Sequence, residues 1–311
     1  CSLVNIKDVA GFSKPTEKLI ECISKGLGKS FNFLFSKKMA DANVYEISAL
    51  KEVLGDSESE ITINRNGTTI TLKNQPEKAA LNCMIDRESK RLENTSKIIQ
   101  NTADILEDKE SISAEPVDED WLTRFFSIAQ DITNEEMQNL WSKILADEIE
   151  KPNSYSLRTL EVLKTLSSNE AKLFTKFVNL CFKFPNEKKL RALNDREFLI
   201  KYGIQLEDMM LLEELNLVNS GLSYKINPSN KIKLIYCDKL IFIESKKETL
   251  FWLYSLSTIG QEISSIIDQK FEPSYAAKLS ECFKSKGDVS TFITDIDMND
   301  FTYNPSNIIE I

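Results

Sequence analysis

DWLTRFFSIAQDITNEEMQNLWSKILADEIEKPNSYSLRTL, Asp120 to Leu160, carries two of the three tryptophans and the densest helical apolar pattern in the 311 residues. Trp121, Phe125 and Ile128 recur at helical spacing with Ala129 beside them, which predicts one amphipathic helix. Thr133 and Glu136 stand in T-x-x-E spacing, a capping box that opens the next helix. Leu140, Trp141, Ile144 and Leu145 form its buried face, and Pro152 stops it. A third helix follows through Leu157, Leu160, Leu163 and Leu166. Ser167 and Glu170 then form a second capping box before Leu173, Phe174, Phe177, Val178 and Cys181. Short helices joined by short loops predict a compact antiparallel bundle over residues 117–194.

On the N-terminal side, residues 1–54 read as amphipathic helices interrupted near Gly26 and Gly28, resuming over Ala40–Leu54. Leu19, Ile23, Leu27, Phe31, Phe33 and Phe35 make an apolar face with Lys37 and Lys38 at its end. That face suits either a membrane surface or a packed partner, and the acids Glu17, Glu21 and Asp41 favour packing. Residues 55–76 read as a β-hairpin insertion, ITINRNGTTITL, turning on Asn66-Gly67, a pair that supplies positive φ for a tight turn. Residues 77–116 read as a long helix and an acidic linker. Ile85, Leu92, Ile99 and Leu106 fall seven apart, the spacing of a coiled-coil seam. The companions Leu81, Glu88, Thr95 and Thr102 are mostly polar, so packing on its own domain stays open beside an oligomer seam.

On the C-terminal side, residues 195–270 change character. Asp195 caps a short helix, and Leu206, Met209, Met210, Leu212 and Leu215 make another. Strands follow at Ser223–Ile226, Ile232–Cys237, Leu240–Glu244 and Leu250–Tyr254, then a capped helix from Ser257/Thr258. Helix, helix, LNLV, hairpin, LSTIGQEI is the order of a winged-helix region. Residues 271–311 hold a helix, a short strand and an acidic tail. The expected fold class is therefore mainly α within α+β.

The pattern DWL-x3-F-x8-EEMQ-x-LWSKILADE-x3-P-x-SYS-x-RTL, with the later LEELNLV and LSTIGQEI, resembles a bacterial family known as domain of unknown function 2806. KPTEKLIECISKGLGKSF and the following Lys37-Lys38-x-Ala40-x-Ala42 resemble that family's N-terminal half. The resemblance spans about Lys14–Leu54 and Glu77–Ile267 and leaves the hairpin as a local elaboration. It implies no catalytic residues.

The composition narrows the function classes. No histidine occurs in the chain, which excludes His-based acid–base catalysis, nucleophile pairs and His metal ligands. No Gly-rich phosphate loop occurs among nine glycines, and Gly26-Leu27-Gly28-Lys29-Ser30 lacks the upstream glycine and strand of one. The six cysteines form no C-x-x-C pair and read as small buried hydrophobes of a reducing compartment. Cys1-Ser2 reads as a replaced start rather than a lipidated terminus, and no signal peptide or membrane span is expected. Asp147 and Glu150, three apart on one helix, could share a cation but read as a solvated face. No catalytic residue, cofactor or metal is expected.

Net charge is −9, which disfavours a dedicated nucleic-acid binder. Residues 103–120 hold eight acids against one lysine. A duplex reading would place the Leu206–Leu217 helix in the major groove, with Lys225, Lys231 and Lys233 on the wing. The acids Glu207, Asp208, Glu213 and Glu214 would then face phosphates. The expectation is a cytoplasmic binding protein that self-associates through its N-terminal half and engages a protein partner. Duplex nucleic acid and peripheral membrane contact through residues 19–35 are the alternatives, and stress or phage defence is the setting the resemblance suggests.

Overall fold

The computed structural model describes residues 14–27, 60–64, 67–71, 75–107, 109, 112–185, 187–228, 231–297 and 303–310. Phe31, Phe33, Phe35, Asn66 and the helical pattern of residues 40–54 lie outside these, as does the side chain of Ile85. The chain divides into two compact units, Cys1–Leu160 and Glu161–Ile311. The division falls inside one short helix of the 117–194 stretch.

The N-terminal unit contains α1 (Lys14–Leu27), strands β1 (Glu60–Asn64) and β2 (Gly67–Thr71), the long α2 (Gln75–Glu107), α3 (Glu119–Ala129) and α4 (Glu135–Glu150). Strands β1 and β2 pair antiparallel with Asn64 opposite Gly67. Gly67 therefore begins β2 and belongs to the ladder, whereas the turn was expected on Asn66-Gly67.

The core of this unit forms where α3 and α4 meet. Trp121 stacks on Phe125 at 5.2 Å, and Phe125 meets Trp141 at 5.2 Å. Helix α4 starts one residue later than expected. Asn134 is its cap, accepting from the Met137 amide at 3.0 Å. Asparagine is at least as good an N-cap as threonine, so the box read at Thr133/Glu136 does not form.

Helix α1 packs on α3 through Leu19, Cys22 and Ile23, all buried. It also runs unbroken through Gly26. A Cβ there would stand 2.4 Å from the Phe126 ring, so this glycine marks a close helix–helix approach and not a break.

The long helix α2 packs on α4 from about Asn94 onward. Asn94, Thr95, Ile98, Ile99, Thr102 and Leu106 are buried there. The threonines are tolerated because each hydroxyl donates one turn back, Thr95 to the Arg91 carbonyl at 2.9 Å and Thr102 to Ile98 at 2.7 Å. Such back-bonding satisfies a buried hydroxyl without a second partner. Ser142 on α4 also donates to the Ile98 carbonyl at 3.0 Å, and Gln138 donates to Asn94 at 3.3 Å. The stretch between α2 and α3 is strapped down rather than free. Lys18, itself buried, donates to the carbonyls of Ser113 at 2.6 Å and Glu115 at 2.5 Å, and the Ser113 amide donates to Glu150 at 2.9 Å.

Helix α5 (Leu157–Thr165) spans the division. The C-terminal unit then runs α6 (Ser168–Val178), β3 (Arg191–Leu193), α7 (Arg196–Lys201), α8 (Leu206–Glu214), β4 (Val218–Ile226), β5 (Lys231–Tyr236), β6 (Lys239–Ser245), β7 (Thr249–Leu256), α9 (Thr258–Ser264), α10 (Tyr275–Lys286), β8 (Val289–Asp295) and β9 (Ile309–Glu310). The Ser167/Glu170 capping box at α6 is complete in both directions, at 3.3 and 2.7 Å.

Two antiparallel sheets form in this unit. One has the order β3-β7-β4, the other β5-β6-β8-β9. Residues alternate faces along a strand, so Tyr254 and Phe251 of β7 point oppositely. Tyr254 meets Phe177 of α6 at 6.1 Å, and Phe251 meets Phe283 of α10 at 4.9 Å. The three-stranded sheet thus meets a helix on each face at these two residues. Single bridges pair Phe182 with Arg191 and Lys183 with Ile235, tying one short segment to both sheets. Beside it, Tyr236 stacks on the fully buried Tyr275 at 3.8 Å. Mixed α+β architecture is the result.

Candidate docking face

Helix α8 begins where the Asp208 carboxylate turns back to accept the Gln205 amide at 2.7 Å. It ends at Glu214, and Asn216, with a φ of 55°, turns the chain into β4. Between these, Met209 and Leu212 enter the core while Leu206 and Met210 face outward, 51% and 61% exposed. Leu206 and Met210 are four apart and so share one side of the helix. Glu207 and Glu214 are exposed on the same helix, and Glu213 is half-buried. Burial, and then the Glu213 carboxylate, push the Tyr254 hydroxyl above its usual range.

On the same face of β7 as Tyr254, Trp252 and Leu250 are 49% and 52% exposed. Ser223 and Lys225 of β4 stand opposite them in register. Helix α8 presents Leu206 and Met210 with Glu207 and Glu214, and the outer half of the β4–β7 ribbon presents Leu250 and Trp252.

The lysines expected on this ribbon are separated and engaged. Lys225 pairs with Glu248 at 2.6 Å. Lys231 and Lys233 belong to β5 of the other sheet. Lys231 pairs with Glu244 at 2.5 Å and lies over the Phe242 ring, and Lys233 lies over Phe242 and Tyr303 at 5.7 and 5.4 Å.

The other expected sites sort as follows. Leu19 and Ile23 are spent on the core of their own unit, and Leu27 is half-buried. The apolar side of α1 therefore faces α3 and is closed to a bilayer. Of the seam, Ile99 and Leu106 are buried in their own unit and Leu92 is half-buried, so the lower half of the heptad is internal packing. Above it, Cys83, Met84 and Asp86–Lys90 are all exposed.

The acidic run of α4 is committed residue by residue. Asp147 accepts the Tyr155 hydroxyl at 2.8 Å, Glu150 pairs with Lys109 at 2.6 Å, and Glu148 accepts three backbone amides of the following loop. None of the three is left to share a cation.

Sequence reasoning missed which apolar residues face out. Leu206 and Met210 looked equivalent to Met209 and Leu212, and LFWLYSL in β7 has no alternation to show that Leu250 and Trp252 are exposed. The one available signal was chemical: a third tryptophan inside a strand next to charged turns.

Asp195 anchors the start of α7. It caps the Phe198 amide at 3.0 Å and pairs with Lys286 of α10 at 2.7 Å. Burial alone would raise its carboxyl, but Lys286, the Phe198 amide and the Cys282 thiol together hold it below the ordinary 3.8. A depressed carboxyl contributes stability above its unfolded value and loses it as pH falls through the folded one. Urea titrations of D195N are therefore expected to show a flatter acid limb below about pH 4 than the parent. An unchanged slope would mean that the Lys286 pair adds nothing.

A family model described as protein of unknown function (DUF2806) matches residues 78–280. This span runs from α2 into α10 and includes the whole docking face. Comparison with curated proteins and with solved structures gave no match.

Proposed function

The chain belongs to the DUF2806 family, and from that premise we propose a non-enzymatic regulatory or scaffold protein that self-associates through its N-terminal half and docks a protein partner with a winged-helix-like C-terminal unit. The order α6-β3-α7-α8-β4-β7, with β7 between β3 and β4, supports the winged-helix-like reading. The β5–β6 hairpin then occupies the connection that forms the wing. The recognition position falls to α8.

The observation that carries the partner reading is the chemistry of that helix. A groove-reading helix offers cations and hydrogen-bond donors to phosphates and base edges. Helix α8 offers Leu206 and Met210 among Glu207 and Glu214, which repels a polyanion and suits a protein. Duplex retention by the full chain is accordingly expected to be absent, with no salt-dependent component between about 50 and 200 mM. Retention that falls steeply over that range would sink the reading.

Self-association is supported by the upper half of α2, exposed at Cys83, Met84 and Asp86–Lys90. Its charges are mixed in sign, which lets one copy complement another. Light scattering of the full chain is expected to give a defined oligomer, reduced to monomer by I85E with L92E. Among the described cysteines Cys83 is exposed, Cys237 and Cys282 are half-buried and Cys22 and Cys181 are buried, so in a C237S/C282S background carrying Cys1→Ser a thiol crosslinker should join two copies and fail when C83S is added. A monomeric parent would remove this half of the proposal.

A further inference from the structure

We propose that the free edge of β4 takes up an extended peptide as a further antiparallel strand, with an acidic residue opposite Lys225 and a large apolar residue opposite Ser223. The inference rests on the partner-docking reading above and adds the form and chemistry of the partner.

The register shows which groups are open. Strand β4 is paired with β7 on one side, and among the described residues no strand stands on its other side. The Asn194 amide donates to the Trp252 carbonyl at 2.9 Å, so Trp252 turns its main-chain groups toward β3. Ser223 lies opposite Trp252, and Lys225 lies opposite Leu250. Main-chain direction alternates along an antiparallel pair, so the amides and carbonyls of Ser223 and Lys225 point away from β7, to the free side. Both residues are exposed. Two donors and two acceptors at alternate positions are the template that an added strand completes.

The side chains select the occupant. Residues directly opposite one another share a face, so one row runs Asn194, Trp252, Ser223 and the next runs Leu250, Lys225. An incoming residue opposite Ser223 extends the first row. Strands lie about 4.8 Å apart, so that residue stands about 10 Å from the Trp252 backbone. An indole and a leucine-sized side chain meet across the short serine between them. Tryptophan is the kind of residue on which binding energy concentrates. The residue opposite Lys225 extends the second row, where a carboxylate is favoured and a cation opposed. Lys225 is paired with Glu248 at 2.6 Å, but both side chains are more than half exposed, and such a pair is exchanged or shared at little cost. The bulge between Asn219 and Leu222 and the edge lysine guard β4 against indiscriminate pairing. The same guard admits a strand that brings an acid to Lys225. Read from its N-terminal side, the antiparallel partner is therefore acid, any residue, apolar.

The probe is a dye-labelled peptide of about eight residues, the length of a strand, made of threonine and valine around one glutamate and a leucine two places after it. A second peptide carries lysine in place of glutamate. Anisotropy with the full chain is expected to show saturable binding with a Kd below about 1 mM. The lysine peptide should bind about fivefold more weakly. The unlabelled glutamate peptide should shield Trp252 from acrylamide, a signal that reports chiefly on this residue because Trp121 and Trp141 are buried. Ser223→Pro removes one outward amide and leaves the β4–β7 ladder whole, so it should abolish binding with the thermal transition unchanged. K225E should reverse the preference between the two peptides, which a general loss of structure does not do. No binding by the parent, equal binding by Ser223→Pro, no shielding of Trp252, or an unaltered preference in K225E overturns this proposal and leaves the partner reading standing. A solution mass that falls in Ser223→Pro gives the edge to a second copy and overturns it likewise. Displacement of the peptide by duplex DNA overturns the proposal and the partner reading together.

Discussion

Gly260→Ala is expected to destabilise the C-terminal unit by about 3 kcal/mol, the upper range for forcing an extra methyl into packed structure. The reason lies in how two distant pieces of sequence, LNLV and LSTIG, are clamped. Val218 pairs with Leu256 at the end of the β4–β7 ladder. The next residue, Ser257, donates its amide to the Leu217 carbonyl at 3.0 Å and its hydroxyl to Asn216 at 2.5 Å, while accepting the Gly260 amide at 2.9 Å. This draws the first turn of α9 onto the start of β4 so closely that a Cβ on Gly260 would stand 2.0 Å from the Leu217 carbonyl oxygen. The obstacle is backbone, which cannot rotate aside like a side-chain tip. Either α9 or the α8–β4 junction must move, and the junction holds the end of α8 through the Leu217 amide on Leu212 at 3.0 Å. The same substitution should therefore loosen the docking face as well as lower stability. Urea unfolding of the full chain, with Thr258→Ala at an exposed neighbouring position as the control, measures it. A loss below about 1 kcal/mol, the typical cost of an ordinary substitution, would mean the contact relaxes freely.

That clamp also shows where sequence reading reaches its limit. The helical stripe of Trp121, Phe125 and Ile128 and the Ser167/Glu170 box were legible because each depends only on local spacing. So was Asp195, which caps α7 as its position before an apolar run predicts. Gly260 was visible as part of a pattern, but its role depends on Leu217, forty-three residues away, and no local rule brings the two together. Strand β3 is three residues long and too short to carry a period, although it completes the sheet. Thr95 and Thr102 weakened the seam reading because they are polar, yet back-bonding lets them fill the α2–α4 contact. The α1 stripe was read correctly as amphipathic. Amphipathicity alone does not name what the apolar side meets, and here it meets α3. The same ambiguity hid the docking face. Leu206, Met209, Met210 and Leu212 are equally apolar, and only the position of the sheet beneath them decides which two are left outside.

Glu148→Ala is expected to cost the N-terminal unit about 4 kcal/mol, within the range for removing one side of a buried charged hydrogen-bond network. Glu148 stands in the LADE run that follows Trp141. Its side chain points away from solvent, 2% exposed. One carboxylate oxygen accepts the Asn153 amide at 2.6 Å, and the other accepts those of Ser154 and Tyr155, each at 3.0 Å. Successive amides converge in this way only when the chain reverses sharply, and Asn153 holds the left-handed φ of 68° that the reversal needs. Pro152 ends α4, but Glu148 shapes the exit, and Tyr155 is locked down in turn by its hydroxyl on Asp147 at 2.8 Å. Alanine would strand three amides at once, each costing about 1–3 kcal/mol if it stays buried without a partner. Partial opening of the loop to water brings the sum down to the expected figure. Glutamine keeps the shape and one acceptor oxygen, but turns an NH2 group toward an amide donor. E148Q should therefore lose about 2 kcal/mol, the value of charge-assisted over neutral bonding plus one unmet amide. Calorimetry of both variants decides the matter. Equal losses for the two would mean that the carboxylate acts by filling space, and losses below about 1 kcal/mol in both would place the origin of the turn in Pro152 and Asn153 alone.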